Sequence, residues 1–478
     1  MDWREFDAAV RSFGDYSVYG SSRDQSGAAL CAMVRNDREK RLAVAGDAGR
    51  FSGEEKGGVK LCPLTVENAG ALMELFPYTR PRSHRGHPFT MGLGDRIGLA
   101  TPGQIRAIAG YGVFPVLAQQ SIRELKLTNR TFPQVIAAAA FGVFQEGYKD
   151  GYGADGDHLK TTEEISYALE SGCTMITLDC SEHINDGAAC YDEAELARAY
   201  SGLPAEKRKY YEDKYLNKEL PVIKSMDSAE LARVVLVFSG AIEHAVSCYR
   251  YIAENAGRDV DFELSIDEAL AVTSPSEHFV IASELRDAGI TPSSVAPHFT
   301  GSFEKGIEYR GDLDKFAADL AVHQMIADEF GYKLSLHSGS DKFSVFPALH
   351  RVTGGRVHVK TAGTNWLEAM RVIAEREPEL YRAAHRFALA HHDEAAKYYH
   401  VSTDPGTIPN TDLLSDAYLP ELLEIPASRQ LMHISYGLLL AEPWFREPFF
   451  RAMHEHEEEY YAGLVRHIGR HLRYLTSD

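Results

Sequence analysis

Between residues 86 and 364, short apolar runs alternate with longer amphipathic segments, and few architectures accept that pattern. The runs occupy residues 96–100, 114–119, 151–154, 174–179, 261–267, 294–298, 333–337 and 356–360. Segments such as 101–111, 163–171, 276–288 and 313–330 lie between them with helical periodicity. Strands joined by helical crossovers predict an α/β fold of (β/α)8 TIM-like barrel type. A doubly wound open sheet is the alternative, because barrel closure leaves no mark in a sequence. Residues 1–85 read as a small N-terminal α/β cap, and 86–364 as the catalytic barrel. Residues 184–235, charged and tyrosine-rich, read as a helical insertion over one βα loop. Residues 365–478 read as a C-terminal helical extension packed on the barrel.

The charge balance narrows the partners. Fifty Lys and Arg stand against 69 Asp and Glu, a formal net charge of −19. That argues against nucleic acid, whose phosphates need basic neutralisation, and against an anionic membrane surface. A small anionic substrate stays open, since a local cationic cluster overrides the overall field at short range. Six cysteines without a C-x-x-C pair suit reduced thiols. The first residues show no apolar signal region, and no run approaches the roughly 18 apolar residues of a membrane span. The expectation is a soluble, cytoplasmic protein acting on a small molecule. Its long helical C-terminus is a candidate homo-oligomer interface.

In a parallel barrel, reactive groups sit at the C-terminal ends of the strands. The polar residues near those ends are Asp95, Arg96, Gln119, Gln120, Arg123, Asp157, His158, Asp179, His183, Glu263, Asp267, Glu268, His298, His337, Asp341, Lys342, His358, Lys360, Thr361, His400 and Asp404. Within Gly151-Tyr-Gly-Ala-Asp-Gly-Asp-His158 the glycines let backbone approach a ligand. Asp157 can move a proton there and His158 can hold a divalent metal. An Asx-capped turn is the plain alternative. Neighbours on a strand point to opposite faces, so both residues serve one site only if the chain turns there, which Gly156 permits.

His337 ends an apolar run amid Ser335, Ser338, Ser340, Asp341 and Lys342, a setting that suits a ligand more than a lone structural histidine. In residues 262–268 a period of two places Glu263, Ser265 and Asp267 on one face and Phe262, Leu264 and Ile266 on the other. In a barrel the first set faces the lumen, where a carboxylate must be paired, metal-bound or protonated. His298 and Glu304 are each as compatible with a turn or surface ion pair as with a metal site.

Six segments in one order carry a resemblance. They are Gly94-Asp-Arg-Ile-Gly-Leu-Ala-Thr-Pro, Gly112-Val-Phe-Pro-Val-Leu-Ala-Gln-Gln-Ser, Gly142-Val-Phe-Gln-Glu-Gly-Tyr, Gly153-Ala-Asp-Gly-Asp-His-Leu-Lys, Ser335-Leu-His-Ser-Gly-Ser-Asp-Lys-Phe-Ser-Val and His358-Val-Lys-Thr-Ala-Gly-Thr. Together they resemble the tagaturonate epimerase family, the bacterial hexuronate C4-epimerases. The resemblance implies interconversion of D-tagaturonate and D-fructuronate with one divalent metal, for which Zn, Ni, Co, Mn or Fe all suit the ligand types. It implies Asp157 as proton acceptor, Glu263 as proton donor, and His158 and His337 as metal ligands, with Glu304 taken as the third. His298 stands where relatives are expected to carry Arg.

C4 lies next to neither the C2 ketone nor the C6 carboxylate, so deprotonation beside a carbonyl cannot invert it. Retro-aldol cleavage of C3–C4, rotation and re-addition can, with acid/base groups on opposite sides. Arg96, Arg123, Lys342 and Lys360 are candidates for the substrate carboxylate, Gln119 and Gln120 for hydroxyls, and Asp341 is a further substrate-binding candidate. The rival readings are a class II-type metal-dependent aldolase acting on a sugar acid and a non-catalytic sugar-acid binding protein.

Overall fold

The computed structural model describes residues 1–84, 86–399 and 401–476. Eight strands form a closed, all-parallel barrel: β1 Phe89–Gly92, β2 Phe114–Ser121, β3 Gly153–Leu159, β4 Met175–Asp179, β5 Asp261–Ser265, β6 Ser294–Ala296, β7 Lys333–Leu336 and β8 Val357–Lys360. Each pairs with its successor, and β8 returns to β1 with His358 opposite Thr90. The barrel is therefore closed and not an open doubly wound sheet. Crossover helices begin at side-chain caps: Thr131 with Gln134, and Ser274 with Glu277, form reciprocal capping boxes.

The first strand is Phe89–Gly92 and not the apolar stretch 96–100. There the Asp95 carboxylate accepts the backbone N–H of Ile97, Gly98 and Ala100 at 3.1, 2.8 and 2.7 Å. A side chain that satisfies three backbone donors locally turns an apolar run into a loop. On β5 the expected alternation holds. Phe262 packs edge-on against Tyr249 of the crossover helix Ser228–Asn255, while Glu263 points into the lumen. The lumen is unusually polar for such a barrel, with Thr90, Asp155, Thr177, Glu263, Ser294, Lys333, His358 and Lys360 all buried in it.

The insertion between β4 and β5 contains the helices Asp186–Ala189, Glu193–Ser201 and Ala205–Tyr215 and runs into Ser228–Asn255. That last helix has the length and apolar composition of a membrane span, and it packs on the barrel beside Pro275–Asp287.

At the N-terminus a six-stranded antiparallel sheet separates two apolar layers. Phe6 and Val10 of the helix Trp3–Arg11 cover Ala32, Val34 and Ala43, and the opposite-face residues Cys31, Met33, Leu42 and Val44 meet Leu72 and the barrel-helix residues Phe141 and Phe144. Glu457, at the start of the C-terminal helix Glu457–Thr476, ties this sheet to the body. It pairs with Arg35 and with Lys40 and accepts the Tyr19 hydroxyl. Burial alone would raise its pKa, but Lys40 and Arg35 outweigh burial and hold it below the usual carboxylate range. A depressed folded pKa stabilises above the unfolded value of about 4.3, and that contribution fades as pH falls through the folded value. Glu457→Gln should therefore cost about 3 kcal/mol at neutral pH in urea unfolding. The gap to the wild type should narrow below about pH 4; a gap of constant width would mean that Glu457 acts by packing alone.

Candidate active site

The site is built where β3 departs from regular strand geometry. Between Gly156, paired with Ile176, and Leu159, paired with Leu178, two residues of β3, Asp157 and His158, stand against one of β4, Thr177. The extra residue makes a β-bulge, and His158 takes a left-handed backbone with φ of 54°. That conformation costs a non-glycine residue about 1–2 kcal/mol. It lets Asp157 and His158 serve the same cavity, which a regular strand forbids. The expected turn is thus a bulge within a strand that continues to Leu159.

His337 follows the end of β7, and its ring centroid lies 4.9 Å from that of His158. Asp267, just beyond β5, places Oδ1 3.1 Å from His337 Nδ1. Ligand atoms of His158, Asp267 and His337 all lie within 4.8 Å of one another. Each imidazole has a carboxylate on its other nitrogen: His158 Nδ1 is 2.8 Å from Asp157 Oδ1, and His337 Nε2 is 2.8 Å from Glu263 Oε1. Such acceptors fix the tautomer that leaves the remaining nitrogen free to bind a metal. His337 Nδ1 is buried without a hydrogen bond, although Asp267 is near. Two imidazole nitrogens and a carboxylate oxygen this close together fit ligands of one cation, so these residues suit a divalent metal.

The local field favours positive charge at this spot, whether a proton on the imidazole or a cation carries it. Burial opposes charge on His337, but Asp267 and Glu263 outweigh burial and push its pKa up to about 10. Asp157 is held well below the usual range, because Lys360 and His158 overcome the burial that would raise it. Lys360 Nζ lies 2.6 Å from Asp157, 2.9 Å from Glu263 and 3.1 Å from Asp155. Burial pushes Asp155 up to about 6 despite that contact.

Two adjoining cavities open on this group. An inner one of about 60 Å³ is lined by Arg96, Gln119, Asp157, His158 and Lys360 among others. An outer one of about 380 Å³ is lined by Asp267, His298, Phe299, Glu304 and Tyr398 among others. Arg123, Glu268, Lys305, His337, Ser338 and Tyr399 line both. The outer volume is in the range of small-ligand sites.

Several expected residues sit elsewhere. Glu304 does not join the imidazoles: Ser402 and Gln430 donate to its carboxylate, and Asp267 takes the place beside the two histidines. Asp341 turns away from the lumen, pairs with Arg429 at 2.7 Å and His467 at 3.1 Å, and lines neither cavity. Asp341, His467 and His471 also converge. There, however, His471 Nε2 accepts the Asp341 backbone N–H and Arg429 holds the second carboxylate oxygen, which makes a hydrogen-bonded clamp. Lys342 spends its ammonium on the carbonyls of Glu304, Ile307 and Ser340. Gln120 donates to Glu124 and lines neither cavity. Arg96 lines the inner cavity but is paired with Glu124 at 2.9 Å and stacked on Tyr436. Glu263 is fully buried behind Lys360 and His337, one layer below the cavity wall. His400 lies outside the described residues. Asp155, on Lys360, and Lys305, on both cavity walls, join the site without standing out in the sequence. The period that selects Asp157 skips His158 and reaches Asp155, so Asp155 was within reach of the sequence.

Comparison with known proteins supplies an independent line. A profile of the tagaturonate epimerase family matches residues 19–475. A tagaturonate/fructuronate epimerase from Thermotoga maritima is 38% identical over 471 residues, 96% of this chain and 97% of that protein. The crystal structure of the fructuronate-tagaturonate epimerase UxaE from Cohnella laeviribosi, in its native form, is 48% identical and superposes with a TM-score of 0.96 over 99% of both chains. The same enzyme with one glycerol bound gives 49% identity and a TM-score of 0.95 over 97% of both.

Proposed function

The chain belongs to the tagaturonate epimerase family and is an epimerase, and we propose that it interconverts D-tagaturonate and D-fructuronate by opening and re-forming the C3–C4 bond. The observation that carries this reading is the meeting of His158, His337 and Asp267, beside an ionised Asp157, where the inner and outer cavities adjoin at the C-terminal end of the barrel. His158, Asp267 and His337 would hold a divalent cation. When bound, it supplies Lewis-acid polarisation of the C2 and C3 oxygens.

The chain's own groups do the rest. Asp157 takes the O4 proton as O4 becomes an aldehyde oxygen and the C3–C4 electron pair passes into the enediolate across C2 and C3. The aldehyde fragment turns and C3 adds to its other face. O4 then regains a proton from the opposite side. Glu263, the proposed donor in that return, stands one layer behind the cavity and touches two residues that line it, Lys360 and His337. Gln119, 3.3 Å from Asp157 and lining the inner cavity, orients that carboxylate and is placed for a substrate hydroxyl.

Incubating purified protein with D-tagaturonate in heavy water tests the route. The expected product is D-fructuronate with no deuterium at C4. Deuterium at C4 would instead require proton transfer at that carbon, and accumulation of free three-carbon products would mark an aldolase.

A further inference from the structure

We propose that Lys305, with Arg123 beside it, is the subsite for the substrate carboxylate, and that this grip retains the C4–C6 fragment while the C3–C4 bond is open. The inference rests on the epimerase reading and extends it to how the reaction avoids losing half its substrate.

Four lysine and arginine side chains line the two cavities: Arg96, Arg123, Lys305 and Lys360. Two are already neutralised by protein. Arg96 pairs with Glu124, and Lys360 sits among Asp155, Asp157 and Glu263. Lys305 and Arg123 form no ion pair with a carboxylate among the described residues. Lys305 Nζ donates to Ser338 Oγ at 2.7 Å, which leaves the rest of its three-donor ammonium for something else. Arg123 Nη1 donates to the Tyr398 carbonyl at 3.1 Å, and its guanidinium lies over the Tyr399 ring, which holds its fork in place. Burial and the neighbouring Arg123 lower the Lys305 pKa, and the more distant carboxylates of Glu268, Asp267 and Asp157 do not make up for them. A cation held in a cavity without a counter-ion is costly unless an anionic ligand completes it. Ser338 directly follows His337, so the amine is tied to the loop that carries one of the two imidazoles.

The chemistry needs such a group. On cleavage, the O4 proton goes to Asp157, O4 becomes the carbonyl oxygen of a three-carbon aldehyde, and the C3–C4 pair is stored in the enediolate; re-addition reverses each transfer, with no net oxidation. The aldehyde fragment carries the C6 carboxylate. Held there by Lys305 and Arg123, it can rotate about C4–C5 and offer its other face to C3 without leaving. Unheld, it diffuses away and the enzyme behaves as an aldolase.

The test compares wild type, Lys305→Met, Lys305→Arg and Arg123→Met on the ketouronates and on the matching neutral ketohexoses, D-tagatose and D-fructose. The expected result is a loss of about 100-fold in kcat/KM on the uronate for Lys305→Met. The ketohexose rate should change little, three-carbon aldehyde acid should appear in the medium, and Lys305→Arg should recover part of the loss. An unchanged uronate-to-ketohexose ratio in a folded Lys305→Met enzyme overturns the assignment alone, while absence of interconversion by the wild type overturns the epimerase reading itself. Should Lys305→Met fail to fold, the wild type decides. Competitive inhibition by D-glycerate well below the concentration at which glycerol inhibits supports the subsite, and equal inhibition by the two overturns it.

Discussion

Asp157→Asn should lower kcat by about 10³-fold while the protein keeps its fold and melting temperature. The carboxylate lines the inner cavity and is kept charged by Lys360 and His158 in spite of its burial. An amide preserves shape and hydrogen-bonding capacity but cannot accept the O4 proton, so the loss should fall on kcat and leave KM near the wild-type value. Steady-state rates on D-tagaturonate measure both. A variant retaining more than about a tenth of the wild-type kcat would remove Asp157 from the proton transfer. Thermal unfolding guards against misreading a damaged protein, because the Asp157→Asn change would leave Lys360 with Asp155 and Glu263 as partners.

The second large effect concerns the cation. Dialysis against a chelator should reduce turnover by about 10³-fold or more, and adding back one divalent metal should restore it. His158→Ala and His337→Ala should each abolish stoichiometric metal binding, measured by elemental analysis of the purified proteins. Two further variants separate the possible third ligands. Asp267→Asn should lose metal, because Asp267 stands beside both imidazoles, whereas Glu304→Gln should keep it, because Ser402 and Gln430 already occupy that carboxylate. Glu263→Gln should weaken metal binding by about 10–100-fold by loosening the hydrogen bond that fixes the His337 tautomer. Metal content in Glu304→Gln as low as in His337→Ala would reinstate Glu304 as a ligand and remove Asp267.

Much of the architecture is legible in the sequence. On β5 the period of two had to place Glu263 inward, since Phe262 and Leu264 need the helix layer and nothing else in a barrel accepts them. The first strand was misplaced because apolar content alone cannot reveal that Asp95 captures three backbone N–H groups. Asp267 lay on the same periodic face as Glu263, so the pattern held it, but Glu304 looked equally available. Only packing shows that Glu304 is consumed by Ser402 and Gln430, which lie far along the chain.

Local order along the chain therefore determined the alternation of strands and helices, the inward face of β5, and the presence of acids and imidazoles at strand ends. Tertiary structure decided which of those groups meet. Past the end of β7 the backbone takes left-handed conformations at Ser338 and Asp341, and each such residue redirects the side chains that follow. That is why Lys342 turns to carbonyls and Asp341 to Arg429, while Lys305, from the next loop over, comes to rest beside His337. Strand patterning is a short-range consequence of burial; convergence of charges depends on long-range contacts that no local period encodes.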